Sequence, residues 1–433
     1  MILVYTHKIT PRIKYIFKHI FTIRLGVEID ITSDLEYFKE YDSFKMSYHN
    51  FQISEEFHIN CSEILQSHKI EDLEIEVENW NGLPIFFSFK ENPFFQFDIF
   101  GASFYLISRY EEYLLHLKDD FGRFEPKSSL AFKNRFLNKP IVDFWIKRFS
   151  ENFLDFYPDF KFRKNSFELN TCLEVQCAFD FKGKGLIRTI GGVIRDVLRL
   201  DLYRLYRRTT VLLNLKRDPL DNYSNWIELN RSNGIGTTVF FLLSNFSRYD
   251  RNLSVYSNTF IEKIKDVSDF CEVSLLSSFS SLKNENLLKS EINKLQSITY
   301  KSIKKTRQNL LKLNFPTTYS SFARVGFSND FSLQYYDLPG FRASTTNPFY
   351  FFDLENEIET KLLLNPVCVT DRVLKIYKKP IVARQVLEEI TRYVKDVDGN
   401  MTLVLNNSII SDYSTNFKWK NMFKKYFKSH GKN

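Results

Sequence analysis

Between Leu117 and Ser429 the sequence contains no histidine: His7, His19, His49, His58, His68 and His116 precede that stretch and His430 follows it. Chemistry in the C-terminal two-thirds must therefore proceed without imidazole, which excludes Ser–His–Asp and Cys–His catalysis there. Cysteine is also scarce. Cys61, Cys172, Cys177, Cys271 and Cys368 are odd in number, widely spread and without a CxxC spacing. They support neither a zinc knuckle nor a redox dithiol, and read as reduced small hydrophobes of a cytoplasmic protein. No stretch reaches the ~18 apolar residues that a membrane helix needs. The opening MILVYTHKITPRIKYIFKHIF carries charges inside its apolar run and no small-residue cleavage site, which argues against a secretory signal. GxSxG, GxxxxGK[ST] and HExxH are absent. Gly183 and Gly185 begin a GxG, but the strand–turn–helix of a dinucleotide site does not follow.

What is present is a globular composition, 43% hydrophobic and 26% charged, over 433 residues. That length suggests two or three domains and excludes wholesale disorder. Phe (44) and Tyr (23) are abundant, which reads as Phe-filled cores or as carbohydrate stacking platforms. The net charge of +8 is concentrated. The stretch 182–217 holds ten Lys/Arg against Asp196 and Asp201, and the tail after Asp412 holds Lys418, Lys420, Lys424, Lys425, Lys428 and Lys432 with no acid. Such clusters attract anionic membranes, nucleic acid or acidic glycans, or form a solvated basic face and a frayed terminus.

Residues 1–165 read as a small α+β unit. Strands are predicted at MILVYT, VEIDIT and PIFFSF, and helices over 11–25 (Thr10-Pro11 at its start), 101–117 and 140–156. From 166 onward apolar strands alternate with helices: strands within 166–179, at 237–243, 271–277, 330–334, 361–369 and 401–405, with a basic amphipathic helix over 192–208. That alternation predicts a parallel α/β sheet or barrel.

Four segments, KGKGLIRTIGG (182–192), KRDPLD (216–221), TRQNLLKLNFP (306–316) and PGFRASTTNPFYFFDLE (339–355), resemble bacterial polysaccharide deacetylase-like proteins of the carbohydrate esterase 4 type. ISRYEEYL (107–114), FGRF (121–124) and FLNKPIVDFW (136–145) are similar to the N-terminal domain of unknown function in that group. The resemblance implies an α/β fold, a distorted (β/α) barrel over 166–433 preceded by a smaller α+β domain over 1–165. It also implies one zinc-like divalent metal held by an Asp and two His, with a second Asp as base.

Those positions have changed. The family's Asp-x-Asp strand reads Glu174-Val175-Gln176, leaving a carboxylate at the base position and an amide at the ligand position. The family's imidazole positions fall on Leu276, Ser280, Asn309, Asn365 and Asn406. On an extended strand Cys172 shares a face with Glu174 and Gln176, so a Cys172–Glu174–Gln176 metal site is the alternative to a buried structural cysteine. A metal with an open coordination position needs about three good ligands, so neither metal nor cofactor is expected. Arg307, Asp330, Arg342 and Phe341 lie in the best-matched segments and are the candidate ligand-binding residues, with Phe349 and Tyr350 as further aromatic surfaces.

The leading expectation is a catalytically degraded deacetylase homologue that binds a cell-surface polysaccharide precursor or a protein partner in its assembly, without nucleic acid. One alternative is an active deacetylase with an atypical site at Glu174. Another is a membrane-peripheral scaffold making weak contact with anionic lipid through 192–208 and the Lys-rich tail.

Overall fold

The computed structural model describes residues 1–431; Lys432 of the basic tail lies outside them. Strands β1 (Ile2–Tyr5), β2 (Ile29–Thr32), β3 (Lys45–Tyr48) and β4 (Phe57–Ile59) form a parallel sheet in the order β2-β1-β3-β4. The Thr10 side chain accepts from the Ile13 amide and starts a helix with Pro11 in its first turn. The predicted helix over 11–25 is α-helical only across Pro11–Phe17 and continues as a π-helix, Lys18–Arg24. PIFFSF contributes a short strand, β6 (Leu83–Ile85), paired with β5 (Glu78–Trp80). The predicted helix 101–117 ends early, spanning Ile99–Ile107. Arg109 then takes a left-handed conformation (φ 56°), its guanidinium pairing with Glu111 and Glu112 and donating to the Arg342 carbonyl, so local ion pairs and contact with a distant segment override helical periodicity there.

The second sheet has nine strands: β7 (Glu168–Val175), β8 (Gly236–Leu242), β9 (Glu272–Ser277), β10 (Lys305–Gln308), β11 (Asn329–Asp330), β12 (Phe349–Asp353), β13 (Ile358–Leu364), β14 (Val369–Thr370) and β15 (Asn400–Asn406). Their order is β12-β13-β11-β10-β9-β8-β7-β15-β14, every pair parallel except β12–β13. This sheet must curl. A flat sheet would separate β13 from β14 by about 34 Å, seven spacings of ~4.8 Å. Five residue steps from Leu364 to Val369 reach no more than about 18 Å.

The curl wraps one sheet face into an inner cluster of Cys172, Phe240, Leu242, Leu276, Phe331, Val367 and Val404. The alternate residues of the same strands, such as Leu173, Phe241, Leu275 and Leu403, join the larger core on the outer face. Both assignments follow from the two-residue side-chain period of a strand. The barrel expected from the resemblance is not closed: no ladder joins β14 to β12 or β13 among the described residues. The segment leaving β13 stays on the β11 side of that gap, with the Asn365 amide donating to the Asp330 carbonyl and the Val367 amide to the Leu333 carbonyl. Pro366 supplies no N–H there, which disfavours a continuous ladder.

The predicted basic helix over 192–208 is two helices, Gly185–Leu198 and Leu202–Leu212, broken at Leu200 (φ 51°). The Lys-rich tail is not frayed over its described part. It forms the helix Phe417–His430, which buries Met422, Phe423, Tyr426 and Phe427. No helix of the described residues is long and apolar enough to cross a membrane.

Candidate functional site

Loops after parallel strands gather at the carboxyl end of a sheet, where open α/β folds place their ligand sites. A cleft of about 360 Å³ opens at that end of the nine-stranded sheet. Glu174 and Gln176 reach it from β7 and the residue just beyond, Arg307 from β10, and Asn406 from the end of β15. Leu310, Gln334, Tyr336, Asp371, Arg372 and Lys375 complete much of its wall.

A connected polar network forms the floor. Arg307 Nε donates to Glu174 Oε2 at 3.0 Å and its Nη1 donates to the Phe331 carbonyl. In a flat sheet β7 and β10 would stand about 14 Å apart, so this ion pair exists only because the sheet curls. Gln176 Nε2 donates to Asn309 Oδ1 at 2.8 Å, and Asn309 Nδ2 donates in turn to Asp250 Oδ1 at 2.9 Å. Asp250 also accepts from the Phe279 amide and from the Ser280 amide and hydroxyl, at 2.7, 3.0 and 2.7 Å. The structure thus brings Glu174, Gln176, Ser280 and Asn309 into one hydrogen-bonded chain, ending on a carboxylate that the sequence did not single out.

The remaining candidates scatter. Asn406 lines the cleft, its amide donating to Asp371 Oδ1 at 2.8 Å. Leu276 lies beneath the floor in the inner apolar cluster. Asn365 bonds to Asn329 and to the Asp330 carbonyl of β11.

Of the four ligand-binding candidates only Arg307 reaches the cleft. Arg342 is buried and clasped by Glu112, with Nε–Oε1 2.8 Å and Nη2–Oε2 2.5 Å. Phe341 is 1% exposed in the core. Asp330 is fully buried and accepts from the Ser332 amide and hydroxyl. Arg342 and Phe341 lie where their segment meets residues 107–145, the Phe341 amide donating to the Leu137 carbonyl and Arg342 pairing with Glu112, whereas Asp330 is enclosed beside Ser332 within the larger sheet. Phe349 is likewise core, and Tyr350 receives Lys18 on its ring away from this cleft.

Burial pushes the Asp330 carboxyl up to about 6 and raises Asp371 as well. Burial also pushes the Cys172 thiol up to about 12. With Phe240, Leu242 and Leu276 around it, Cys172 is a core residue rather than a metal ligand. The floor does not suit a divalent cation. Its nearest carboxylate, Glu174, already accepts from a guanidinium, and Gln176 and Asn309 are neutral amides, weak ligands at best, with Asn309 Oδ1 already accepting from Gln176. Among the described residues no group of three His, Cys, Asp or Glu is arranged to hold a metal. No histidine lines the cleft, and burial holds His19 and His58 down to about 3 and about 4 elsewhere.

Sequence reading missed Asp250, Tyr336, Asp371 and Arg372. Asp250 and Asp371 each follow a strand's carboxyl end, the signal that could have found them. Tyr336 was hidden because its ring is flanked by Arg123 at 3.5 Å and Arg372 at 4.3 Å, cations from distant segments.

A family of unknown function, DUF7033, matches residues 2–158. No curated protein matches the chain. Among solved structures, similar chains include one described as a polysaccharide deacetylase from Mycobacterium smegmatis (12% identity, TM-score 0.40, 61% of this chain and 85% of that one). A CE4 family pseudoenzyme from Bacillus anthracis is similar at 9% identity and TM-score 0.29, over 62% of this chain and 64% of that one. The Xyl-CE4 domain of a multidomain xylanase from the hindgut metagenome of Trinervitermes trinervoides stands at 10% and 0.31, over 62% and 86%. Likeness at these levels says nothing about activity.

Proposed function

We propose that this chain is a polysaccharide-deacetylase-like protein whose hydrolytic site has decayed into a binding cleft for a glycan or polysaccharide precursor, on a (β/α)-barrel-type domain over 166–433 behind an N-terminal domain over 1–165. The observation that carries this is the floor network. The positions that would hold and activate a hydrolytic water are bonded to one another through Arg307–Glu174 and Gln176–Asn309–Asp250. Above them the cleft keeps an exposed guanidinium on an aromatic ring, a lysine and an amide, groups that suit hydroxyl and carboxylate recognition. Five unpaired cysteines suit a reducing compartment, and the reading places the protein in the cytoplasm.

The test is calorimetric titration of the full chain with acetylated and acidic amino-sugar oligomers, with acetate release followed in parallel. Binding without acetate release is the expected result. Acetate release that Glu174→Gln abolishes establishes an active deacetylase instead, and absence of both removes the glycan reading.

A further inference from the structure

The helix Gly185–Leu198 is turned inside out. A surface helix ordinarily buries its apolar stripe, yet the buried residue of this one is Asp196. Leu186, Ile187, Ile190, Ile194, Val197 and Leu198 recur at helical spacing over an arc of about 120° and are 51–88% exposed. Leu200 stands at the tip of the hairpin, 81% exposed, and Leu202 begins the second helix at 74%.

The hairpin is nonetheless a built object. Asp196 is held by Arg208 at 2.7 Å, by Arg195 at 3.2 Å and by Arg204 at 3.5 Å, which ties the two helices together. Gly192 permits the close approach, since a Cβ there would lie 2.6 Å from the Arg208 guanidinium. Asp201 caps the second helix, accepting from the Arg204 amide at 2.9 Å.

Charge identifies the occupant. The stretch 182–217 carries ten Lys/Arg against two Asp, and Arg188, Arg195 and Arg199 stand together about 60–100° past one edge of the apolar arc. A second copy would bring two such basic surfaces together, whereas anionic lipid complements both the charge and the stripe. Helices of 14 and 11 residues are about 21 and 17 Å long, too short to cross a ~30 Å hydrocarbon core. They suit lying in the headgroup plane. Exposed Phe246 and the Phe121–Tyr249 ring pair add apolar surface from loops at the same end of the sheet.

We propose that the hairpin 185–212 docks this protein on an anionic membrane surface, its apolar stripe seated at the headgroup–acyl boundary and the cleft end of the sheet turned toward the bilayer. The inference does not require the cleft to bind a glycan.

The test is co-sedimentation of the full chain with vesicles of pure phosphatidylcholine and of phosphatidylcholine containing phosphatidylglycerol, with light scattering for oligomeric state. The protein should pellet with the anionic vesicles and much less with the neutral ones. High salt should weaken that binding, and Ile187→Glu/Ile190→Glu/Ile194→Glu should reduce it by roughly tenfold or more with the circular dichroism spectrum unchanged. Leu200→Trp should show a blue-shifted emission on the anionic vesicles. Wild-type protein left in the supernatant, or a triple variant that pellets as well as wild type, overturns the proposal. So does a wild-type dimer that the triple variant dissociates while neither binds vesicles, since the stripe is then a self-association face.

Discussion

Two buried arginines from neighbouring, equally family-like segments meet opposite circumstances. Arg342 sits with Arg109 around Glu112, all three nearly inaccessible, in a knot that joins residues 107–145 to the strand-end loops of the larger sheet. The Arg109 guanidinium also donates to the Arg342 carbonyl. Arg307 sits on Glu174, but that carboxylate retains 15% exposure and faces an open cleft. The same ion-pair chemistry therefore serves cohesion in one place and leaves a recognition surface in the other. What separates them is whether water or a ligand can reach the carboxylate, a property of the fold and not of the residue pair.

The comparison breaks most visibly at Glu112. Replacing it with alanine strands the buried Arg342 guanidinium and leaves Arg109 with Glu111 as its carboxylate, a loss of about 3–5 kcal/mol for removing one member of a buried charge set. Denaturant titration of Glu112→Ala checks this, and a loss below ~1 kcal/mol would show the knot to be dispensable. The pH dependence has a defined sign. Burial opposes ionisation of Glu112, but Arg342 and Arg109 outweigh it and hold the carboxyl below its ordinary range. Its stabilisation is complete above the unfolded pKa and is lost on acidification through the lower folded one.

Glu291 gives the opposite sign. Burial pushes it up to about 7, against partial relief from Ser278. The folded state binds more protons than the unfolded chain between about 4.5 and about 7, so stability falls as pH rises through that window. Glu291→Gln should remove the fall, a gain of at most ~3 kcal/mol at pH 8 at 1.36 kcal/mol per unit. Stability curves of both proteins against pH measure it.

Arg307→Ala should cost less than the knot, about 1–3 kcal/mol, because Glu174 can rehydrate through the cleft. A loss equal to that of Glu112→Ala would erase the distinction between the two regions.

Much of this fold was legible where packing and periodicity agree. TTVFFLL, CEVSLLS and MTLVL became β8, β9 and β15, and the 3.6-residue pattern of 140–156 became the helix Ile141–Phe156. The strand β10 was illegible because its sequence is Lys-Thr-Arg-Gln: its inward residue is the charged Arg307, so no apolar signal marks it. β11 and β14, two residues each, are too short to carry a period. At the site, Glu174, Gln176, Ser280 and Asn309 could be named from the resemblance, yet nothing in the sequence indicated that they bond to each other or that Asp250 terminates the chain. Arg342 and Phe341 were misplaced for the converse reason. Sequence proximity to site-like motifs does not reveal which side of a strand-end loop meets another domain.

The smallest stability effect is expected at Arg372, and it is the most informative about the cleft. Arg372 is exposed, holds no carboxylate among the described residues, and lies 4.3 Å from the Tyr336 ring centroid, with Arg123 3.5 Å away from the same ring. Losing an exposed cation–π contact costs about 0.5–1 kcal/mol, and Arg123 remains to hold the ring in place. Arg372→Ala should therefore shift denaturation only slightly while weakening the binding of acidic oligosaccharides, because a planar fork of donors at the rim is removed. Arg342→Ala should do the reverse, lowering stability heavily and leaving the affinity of the surviving folded protein unchanged. Parallel measurement of melting temperature and glycan affinity for the two variants decides the matter. If Arg372→Ala binds as tightly as wild type, the rim is not a recognition surface. Glycan binding would then have to rest on the floor groups Arg307, Gln176 and Asn406, where Arg307→Ala gives the next reading.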